Sequence, residues 1–302
     1  EVLIEVHAAG VDRGVWHLMA GMPYLVRLSG YGITKPKQSV PGLDVSGTVV
    51  AIGDGVTRFA VGDEVFGIAK GAYAEYAAAE EKKLTHKPAT TTFEQAAVAA
   101  ISGITALQAL VDQGKVAAGQ SVLVIGASGG VGSYVVQLAK ASGAVVTGVA
   151  SGAKKGFVRS IGADQVIDYR TTSYLDGNVR YDLIIDTGGR NPLRALRRAL
   201  QPDGTLVIVG GEGGDKLTGG IGRQVRAKLL SPLVSQRLTF FISQEHHRHM
   251  DRLAGYLASG DVVPPVDRRY GLGSVRDAIA DLISGKPEGK SVIVVHKNRN
   301  EA

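Results

Sequence analysis

A short apolar run meets a glycine cluster in Val122-Leu123-Val124-Ile125-Gly126-Ala127-Ser128-Gly129-Gly130-Val131-Gly132. The four aliphatic residues are typical of a buried strand, and the glycines after them indicate a tight turn. A helical pattern then runs from Val131 to Ser142 and is closed by Gly143. Backbone at such a turn can approach a pyrophosphate, because the helix N-terminus offers free N–H groups and a favourable dipole. We therefore predict a nucleotide-binding turn at Ser128, Gly129, Gly130 and Val131.

The alternation of strands and helices continues after this turn. Short strands are predicted at residues 145–149, 165–167, 183–185 and 206–209, with a helical pattern at 192–200 between the last two. Strands and helices that alternate at this spacing predict a parallel sheet covered on both faces. The strict Gly-x-Gly-x-x-Gly string is absent, so a turn that needs glycine only for its geometry is the alternative interpretation.

The two ends of the chain have a different character. Residues 2–6 and 45–52 are strand-like, and glycine turns follow at 54–55 and 61–63. Thr92 and Gln95 have the spacing of a capping box. A helix is predicted near 246–258, after which β-like sequence returns. The sequence thus predicts an α/β protein of two domains: residues 1–100 with 261–302 form a β-rich domain, and residues 101–260 bind the nucleotide.

Composition excludes several classes of protein. The chain has 302 residues, of which 44% are hydrophobic and 21% charged, so it is neither disordered nor a coiled coil. There is no cysteine, which excludes disulfides, thiol nucleophiles and thiolate-bound zinc or iron–sulfur clusters. The uncharged stretches 95–111 and 116–139 contain polar residues or repeated glycines, so we predict no membrane partner. With no leader visible, we expect a cytoplasmic protein whose upstream residues are missing, since the chain opens in a strand at Glu1.

The charge pattern favours NADPH over NADH. Sites for NAD usually carry an acid about 20 residues after the glycines, whereas a 2′-phosphate repels an acid. No Asp or Glu occurs from Gln113 to Ala163, and the second strand is followed by Ser151. Cations in this stretch include Lys154, Lys155 and Arg159. A solvated helix that carries these three cations is the alternative interpretation.

Six motifs occur in the order and spacing of a known family: Ala9-Gly10-Val11, Pro41-Gly42-Leu43-Asp44-Val45-Ser46-Gly47, Gly62-Asp63-Glu64-Val65-Phe66-Gly67, Gly71-Ala72-Tyr73-Ala74-Glu75-Tyr76, Gly103-Ile104-Thr105-Ala106 and the turn at 127–132 described above. With them the chain resembles the medium-chain dehydrogenase/reductase superfamily, specifically its zinc-free quinone oxidoreductase-like branch, over nearly its whole length. The resemblance implies a GroES-like catalytic domain formed by both chain ends and a Rossmann domain between them.

The resemblance also implies cofactor contacts. Ser151, Lys154 and Tyr169 match positions that hold the 2′-phosphate of NADPH, and Thr105 matches a position near the nicotinamide. Gly210 and Gly211 end the strand beside the nicotinamide. Lys290 lies in a tail motif that often reaches the cofactor.

A catalytic zinc is not expected. Zinc-dependent members of the superfamily hold the metal with a cysteine, a histidine and a second cysteine, and the first two of these positions are Asp12 and Leu43 here. His246, His247 and His249 form the histidine cluster of the chain, which we interpret as a solvated helix face rather than a metal site.

Without a metal, the hydride acceptor must be electrophilic by itself, as quinones and α,β-unsaturated carbonyls are. The resemblance makes Tyr24 the first candidate for the proton donor, with a role in the pocket wall as the alternative. Asp12 replaces the asparagine usual in the family and is a second catalytic candidate, unless it merely pairs with Arg13.

Two other functions remain open at this point. The chain also resembles enoyl-thioester reductase modules of polyketide synthases, and it resembles crystallin relatives that keep NADPH without turnover. Its net charge of +6 is compatible with nucleic acid, yet Arg190, Arg194, Arg197 and Arg198 lack interleaved aromatic residues, so we predict no nucleic-acid partner. We expect a small-molecule substrate and a homodimer paired through the apolar edge at 236–243.

Overall fold

The computed structural model describes residues 1–24, 27, 32, 36–210 and 217–296. The chain divides into two units. Unit 1 comprises Glu1–Met22, Val26–Ile104 and Gln244–Ala302, and unit 2 comprises Pro23–Leu25 and Thr105–Ser243. The sequence places the second junction at 260/261, whereas the structure groups residues 244–260 with unit 1.

Strands and helices of the described residues follow in chain order. The strands are β1 (Val2–Val11), β2 (Asp44–Ile52), β3 (Glu64–Ile68), β4 (Tyr76–Ala79), β5 (Leu84–His86), β6 (Ser121–Ile125), β7 (Val145–Ala150), β8 (Gln165–Asp168), β9 (Tyr181–Asp186), β10 (Leu200–Ile208), β11 (Arg237–Phe240), β12 (Val266–Gly271) and β13 (Lys290–Val294). The α-helices are α1 (Arg13–Ala20), α2 (Phe93–Ala97), α3 (Ala100–Leu107), α4 (Gly130–Ala141), α5 (Lys155–Ser160), α6 (Leu193–Arg198), α7 (Ile221–Leu230), α8 (His247–Ser259) and α9 (Val275–Ser284).

Unit 1 is built on β1. Antiparallel pairing joins β1 to β2, β4 and β13, and the strands of the described residues run in the order β12-β13-β1-β2-β3-β5, with β4 attached to β1. Val2, Ile4 and Val6 are fully buried while Leu3 between them is exposed, as expected for a strand with one face on a core. The predicted β-rich, GroES-like domain is confirmed.

Unit 2 contains the predicted parallel sheet. Its order is β11-β10-β9-β6-β7-β8, with every pair parallel. Successive residues Val122, Leu123 and Val124 of β6 are all fully buried, so both faces of the sheet are covered. In sequence order from β6 this arrangement is 3-2-1-4-5-6, the strand order of the Rossmann fold.

Local signals account for several helix boundaries. The capping box at Thr92 and Gln95 is present and opens α2. Helix α8 belongs to unit 1 because Asp251 accepts a 2.6 Å hydrogen bond from Thr85 and a Cβ on Gly103 would clash with Leu253. In the part of the chain that the structure describes, no helix is long and apolar enough to span a membrane.

Candidate functional site

The glycine turn between β6 and α4 is closed by backbone hydrogen bonds. The N–H groups of Gly126 and Ala127 donate to the carbonyl of Val149, and the N–H of Gly129 donates to Gly126. Gly126 has a φ of 83°, a conformation that favours glycine. A Cβ on Gly132 would clash with the Gly126 carbonyl oxygen, so the first turn of α4 packs directly on the loop.

The N-terminus of α4 fits the phosphates of a dinucleotide. Gly129 is its N-cap, and no described side chain makes a capping hydrogen bond there. The first N–H groups of a helix have no partner within the helix, and the dipole favours an anion at this end. The four residues predicted to bind here, Ser128, Gly129, Gly130 and Val131, lie together and are at least partly exposed. A pyrophosphate can therefore reach this backbone.

The carboxyl ends of β7, β6, β9 and β10 lie side by side at one edge of the unit 2 sheet. Ile125 of β6 is the register partner of Val149 in β7 and of Asp186 in β9, and Asp186 is the partner of Ile208 in β10. Because the strands are parallel, the segments that follow them line one edge of the sheet. The glycine turn therefore lies between the segment after β7 and the loop after β9.

The residues predicted to hold the 2′-phosphate lie on the β7 and β8 side of this edge. Ser151 and Lys154 follow β7, and Tyr169 follows β8. Ala150 and Asp168, at the ends of these strands, are register partners, and the N–H of Tyr169 donates to Ala150. The Tyr169 ring is 50% exposed. The structure thus brings the ends of these two strands, and the predicted residues after them, to one place.

Sequence reasoning missed two charged residues beside this group. The guanidinium of Arg170 lies 5.8 Å from the centroid of the Tyr169 ring. Asp168 is buried, accepts a 3.0 Å hydrogen bond from the N–H of Arg170, and lies where a Cβ on Gly152 would point. The stretch without acids that favours NADPH ends before Asp168. An acid, Asp168, and a cation, Arg170, therefore both adjoin the residues predicted to hold the 2′-phosphate. Their position at the end of a predicted strand is the signal that could have found them.

The loop after β9 adjoins the glycine turn on its other side. The N–H and hydroxyl of Thr187 both donate to the Ile125 carbonyl, at 3.1 and 2.7 Å. A Cβ on Gly126 would meet the Thr187 hydroxyl, and a Cβ on Gly210 would clash with the Thr187 carbonyl. Gly210, two residues after β10, therefore lies beside this loop, while its predicted neighbour Gly211 lies outside the described residues.

An ion pair with a buried carboxylate completes this side of the site. Asp186, the last residue of β9, pairs with Arg223 of α7 at 2.6 Å between Oδ2 and Nη1. Sequence reasoning missed both residues. An acid at the end of an apolar strand was a usable signal for Asp186, but nothing local marks Arg223 as its partner.

Thr105 lies near the start of unit 2. Its hydroxyl donates to the hydroxyl of Ser243 at 3.2 Å, and the amide of Gln108 also donates to Ser243, at 3.4 Å. The predicted contact between Thr105 and the nicotinamide stays a prediction.

The two candidate proton donors fall in different units. Asp12 of unit 1 is buried and caps α1, because its Oδ1 accepts the N–H of Val15 at 3.3 Å. Its Oδ2 is buried and has no hydrogen-bond partner among the residues described. Tyr24 belongs to the short segment grouped with unit 2, and its side chain is 44% exposed.

A second buried charge pair lies in unit 1. Lys290 opens β13, and its ammonium lies 3.5 Å from Asp44 and donates to the Ser102 hydroxyl at 3.2 Å. The other carboxylate oxygen of Asp44 accepts the N–H of Ile101 at 2.9 Å. Burial raises the pKa of Asp44 to about 7, and the charge of Asp12 adds to this, although the Lys290 ammonium opposes it. Lys290 thus points at Asp44 and Ser102, and a contact with the cofactor stays a prediction.

The histidine cluster lies at the start of α8. His246 caps the helix, and His247 lies 3.1 Å from Asp251, which also accepts hydrogen bonds from Arg58. Within the described residues, no group of three or more histidines and acids could hold a metal ion. Leu43, which sequence resemblance matches to a histidine ligand position, packs against the core of unit 1.

Comparison with known families matches both units. Residues 1–89 match the family model described as alcohol dehydrogenase GroES-like domain, and residues 161–293 match that described as zinc-binding dehydrogenase.

Individual relatives match almost the whole chain. Human quinone oxidoreductase is 31% identical over 98% of this chain and 89% of its own length. The 2-methylene-furan-3-one reductase of tomato, Solanum lycopersicum, is 31% identical over 97% of this chain and 71% of its own.

Solved structures agree with these matches. The quinone oxidoreductase of Coxiella burnetii superposes with a TM-score of 0.83 and 28% identity, over 98% of this chain and 90% of that one. A mycobacterial protein solved in complex with NADPH has a TM-score of 0.80 and 27% identity, over 97% of this chain and 91% of that one.

Proposed function

Since the chain belongs to the medium-chain dehydrogenase/reductase superfamily, in its quinone oxidoreductase-like branch, we propose that it is an NADPH-dependent oxidoreductase that reduces quinones or α,β-unsaturated carbonyls without zinc. The proposal rests on the arrangement at one edge of the unit 2 sheet, where the glycine turn occupies the middle. Ser151, Lys154 and Tyr169 follow the strands on one side of it, and Thr187 and Gly210 follow the strands on the other.

The preference for NADPH rests on charge. Lys154 follows β7, and Arg170 lies over the ring of Tyr169, so two cations and a phenol adjoin the proposed 2′-phosphate site. Asp168 opposes them, but its Oδ1 accepts the Arg170 N–H. A phosphate gains strong hydrogen bonds from Lys and Arg, whereas a ribose hydroxyl has no comparable need for cations. NADPH then binds more tightly than NADH.

The absence of zinc is proposed from the donor set. The chain has no cysteine, and two of the ligand positions implied by family resemblance hold Asp12 and Leu43, so these positions offer neither the sulfur nor the imidazole nitrogen that hold zinc in the zinc-dependent members. When bound, the nicotinamide supplies a hydride, and no Lewis acid then activates the acceptor. The acceptor must therefore carry its own electrophilic carbon, as quinones and enones do.

We assign the donation of the proton that follows the hydride to a side chain of this protein. Tyr24 is the first candidate, because family resemblance points to a tyrosine in this region and the residue is 44% exposed. Asp12 is the second, because its buried Oδ2 has no hydrogen-bond partner in the described part of the chain and would be satisfied by a proton or a donor group. In Tyr24→Phe we expect kcat to fall while KM for the acceptor is unchanged. If instead Asp12→Asn lowers kcat in this way and Tyr24→Phe does not, the proton donor is Asp12.

We also propose a homodimer. Strand β11 is the edge of the unit 2 sheet, and Ile242 just after it is strongly exposed. An apolar edge strand needs a partner or a cover. Light scattering during size-exclusion chromatography tests this, and a monomer mass would contradict it.

One experiment tests the reaction. NADPH consumption is measured with a simple quinone, a 2-alkenal and an enoyl thioester at equal concentrations, with NADH as the second cofactor. Turnover of the quinone or the alkenal with NADPH supports the proposal. Turnover of the thioester alone favours an enoyl-thioester reductase. Tight NADPH binding with no turnover of any acceptor favours a crystallin-like binding protein, and failure to bind either cofactor overturns the proposal.

A further inference from the structure

The strand order divides the candidate site into two halves. In a sheet of this topology a dinucleotide lies across the carboxyl ends of the strands, one mononucleotide half on each side of the first strand. The residues proposed for the 2′-phosphate follow β7 and β8, on one side of β6. The nicotinamide half is therefore expected beside β9 and β10, where Thr187 and Gly210 follow the strands.

An ion pair with a buried carboxylate organises the backbone of that second half. Asp186 is 0% exposed and uses both carboxylate oxygens: Oδ1 accepts the N–H groups of Gly188 and Gly189, both at 3.1 Å, and Oδ2 accepts Nη1 of Arg223 at 2.6 Å. The side chain of Arg223 is only 16% exposed. The carboxylate thus shapes the loop after β9 and is neutralised by a residue from α7.

Arg223 reaches two further backbone groups. Its Nη1 also donates to the carbonyl of Asn191 at 3.0 Å, and its Nη2 donates to the carbonyl of Gly210 at 3.2 Å. One planar guanidinium therefore joins the end of the loop after β9, the end of β10 and helix α7. A lysine ammonium could pair with Asp186 but lacks the fixed fork needed to hold three acceptors in one plane.

We propose that Arg223 and Asp186 are a positioning pair that fixes the backbone against which the nicotinamide half of the cofactor lies. The inference rests on the proposed function. Neither residue transfers a proton or a hydride. Their role is to hold the segments Thr187–Asn191 and Gly210 in one arrangement, so that a nicotinamide ring presents one face to the acceptor.

A merely structural ion pair would have different consequences. Its loss would lower stability and weaken every ligand of unit 2 alike. A positioning pair instead affects one half of the cofactor only, because Ser151, Lys154 and Tyr169 follow strands β7 and β8, on the other side of β6 from β9 and β10. Ligands that lack the nicotinamide should then be insensitive to the pair.

The experiment compares Arg223→Met and Arg223→Lys with Arg226→Met, an exposed arginine three residues along the same helix. Fluorescence titration gives Kd for NADPH and for 2′-phospho-ADP-ribose, which lacks the nicotinamide. In Arg223→Met, NADPH affinity should fall on the order of tenfold, because the backbone beside the nicotinamide loses the hydrogen bonds by which Arg223 holds it. Affinity for 2′-phospho-ADP-ribose should be kept, and Arg226→Met should match the wild type for both.

Hydride stereochemistry gives a second readout. With NADPH deuterated at one face of C4, the wild type transfers one isotope only, and Arg223→Met should transfer a mixture, with kcat lowered on the order of ten- to a hundredfold because a shift of about 1 Å suffices for such a loss. Arg223→Lys should recover part of the affinity. If Arg223→Met does not fold, the double variant Asp186→Asn, Arg223→Met is used in the same titrations, because it removes both charges.

The outcomes separate the two proposals. Equal weakening of both ligands, or unchanged NADPH affinity and stereochemistry in Arg223→Met, overturns the positioning role while the proposed function stands. A wild-type protein that binds neither NADPH nor NADH overturns the proposed function, and the positioning role with it.

Discussion

The ammonium of Lys290 lies 3.5 Å from Oδ2 of Asp44, and the two side chains are 2% and 0% exposed. Burial dominates the protonation of the pair, because it raises the pKa of Asp44 from 3.8 to about 7 against the opposing charge of Lys290. The charge of Asp12 raises the pKa of Asp44 further. The buried Tyr73, whose hydroxyl donates to the Gly10 carbonyl, interacts electrostatically with both carboxyl groups. Unit 1 therefore contains a carboxyl group that takes up a proton near neutral pH.

This pair predicts how stability depends on pH. Between about pH 4 and 7 folded Asp44 holds a proton that the unfolded chain has lost, so its contribution to the free energy of unfolding falls as pH rises through that window. In Asp44→Asn this fall should disappear, a difference on the order of 2 to 4 kcal/mol. Urea unfolding at pH 5 and pH 8 measures it. The exposed Asp54→Asn is the control and should follow the wild type.

Removal of the cation should make the free energy of unfolding more dependent on pH, whereas removal of the carboxyl group makes it less dependent. Lys290→Met leaves Asp44 buried without its ion-pair partner, which should cost about 3 to 5 kcal/mol at pH 8 and less at pH 5, where the carboxyl is protonated. The double variant Asp44→Asn, Lys290→Met should recover most of the loss, because no unpaired charge remains. Additive losses in this double-mutant cycle would show that the two groups do not interact.

Cofactor choice can be tested on neighbouring lysines. Lys154→Ala should lower kcat/KM for NADPH by at least about tenfold and leave the value for NADH unchanged, because a hydrogen bond to a charged group contributes about 1.5 to 3 kcal/mol. Lys155→Ala is the matched control and should change neither value. Equal small losses in both variants would support the alternative interpretation, a solvated helix with no role in the choice.

The parts of the fold that sequence predicts are those set by local physics. The strand, glycine turn and helix from Val122 to Ser142 follow from periodicity and glycine, and the capping box at Thr92 follows from hydrogen bonds within one turn. The grouping of α8 with unit 1 depends on Thr85 and Asp251, which are far apart in sequence and whose contact has no local signal.

The site follows the same division. The glycine turn was predictable from the order of strand, glycines and helix, whereas Ser151, Lys154 and Tyr169 were named by family resemblance. Parallel strands bring their carboxyl ends together, which is why these residues follow neighbouring strands. The two buried ion pairs were not. Asp186 with Arg223, and Asp44 with Lys290, each join residues whose partner is fixed only by the packing of separate elements.

The glycines of α4 and α5 give a test of the turn itself. A Cβ on Gly132 would clash with the rigid carbonyl of Gly126, whereas a Cβ on Gly156 in α5 meets nothing within 4 Å. Gly132→Ala should therefore destabilise the protein by about 2 to 3 kcal/mol, as overpacking does, and should weaken NADPH binding because the loop must move. Gly156→Ala should stabilise it by roughly 0.5 to 1 kcal/mol, since alanine loses less backbone entropy in a helix. Thermal unfolding with and without NADPH measures both, and a Gly132→Ala protein with wild-type stability and affinity would show that the close packing of this turn does not matter.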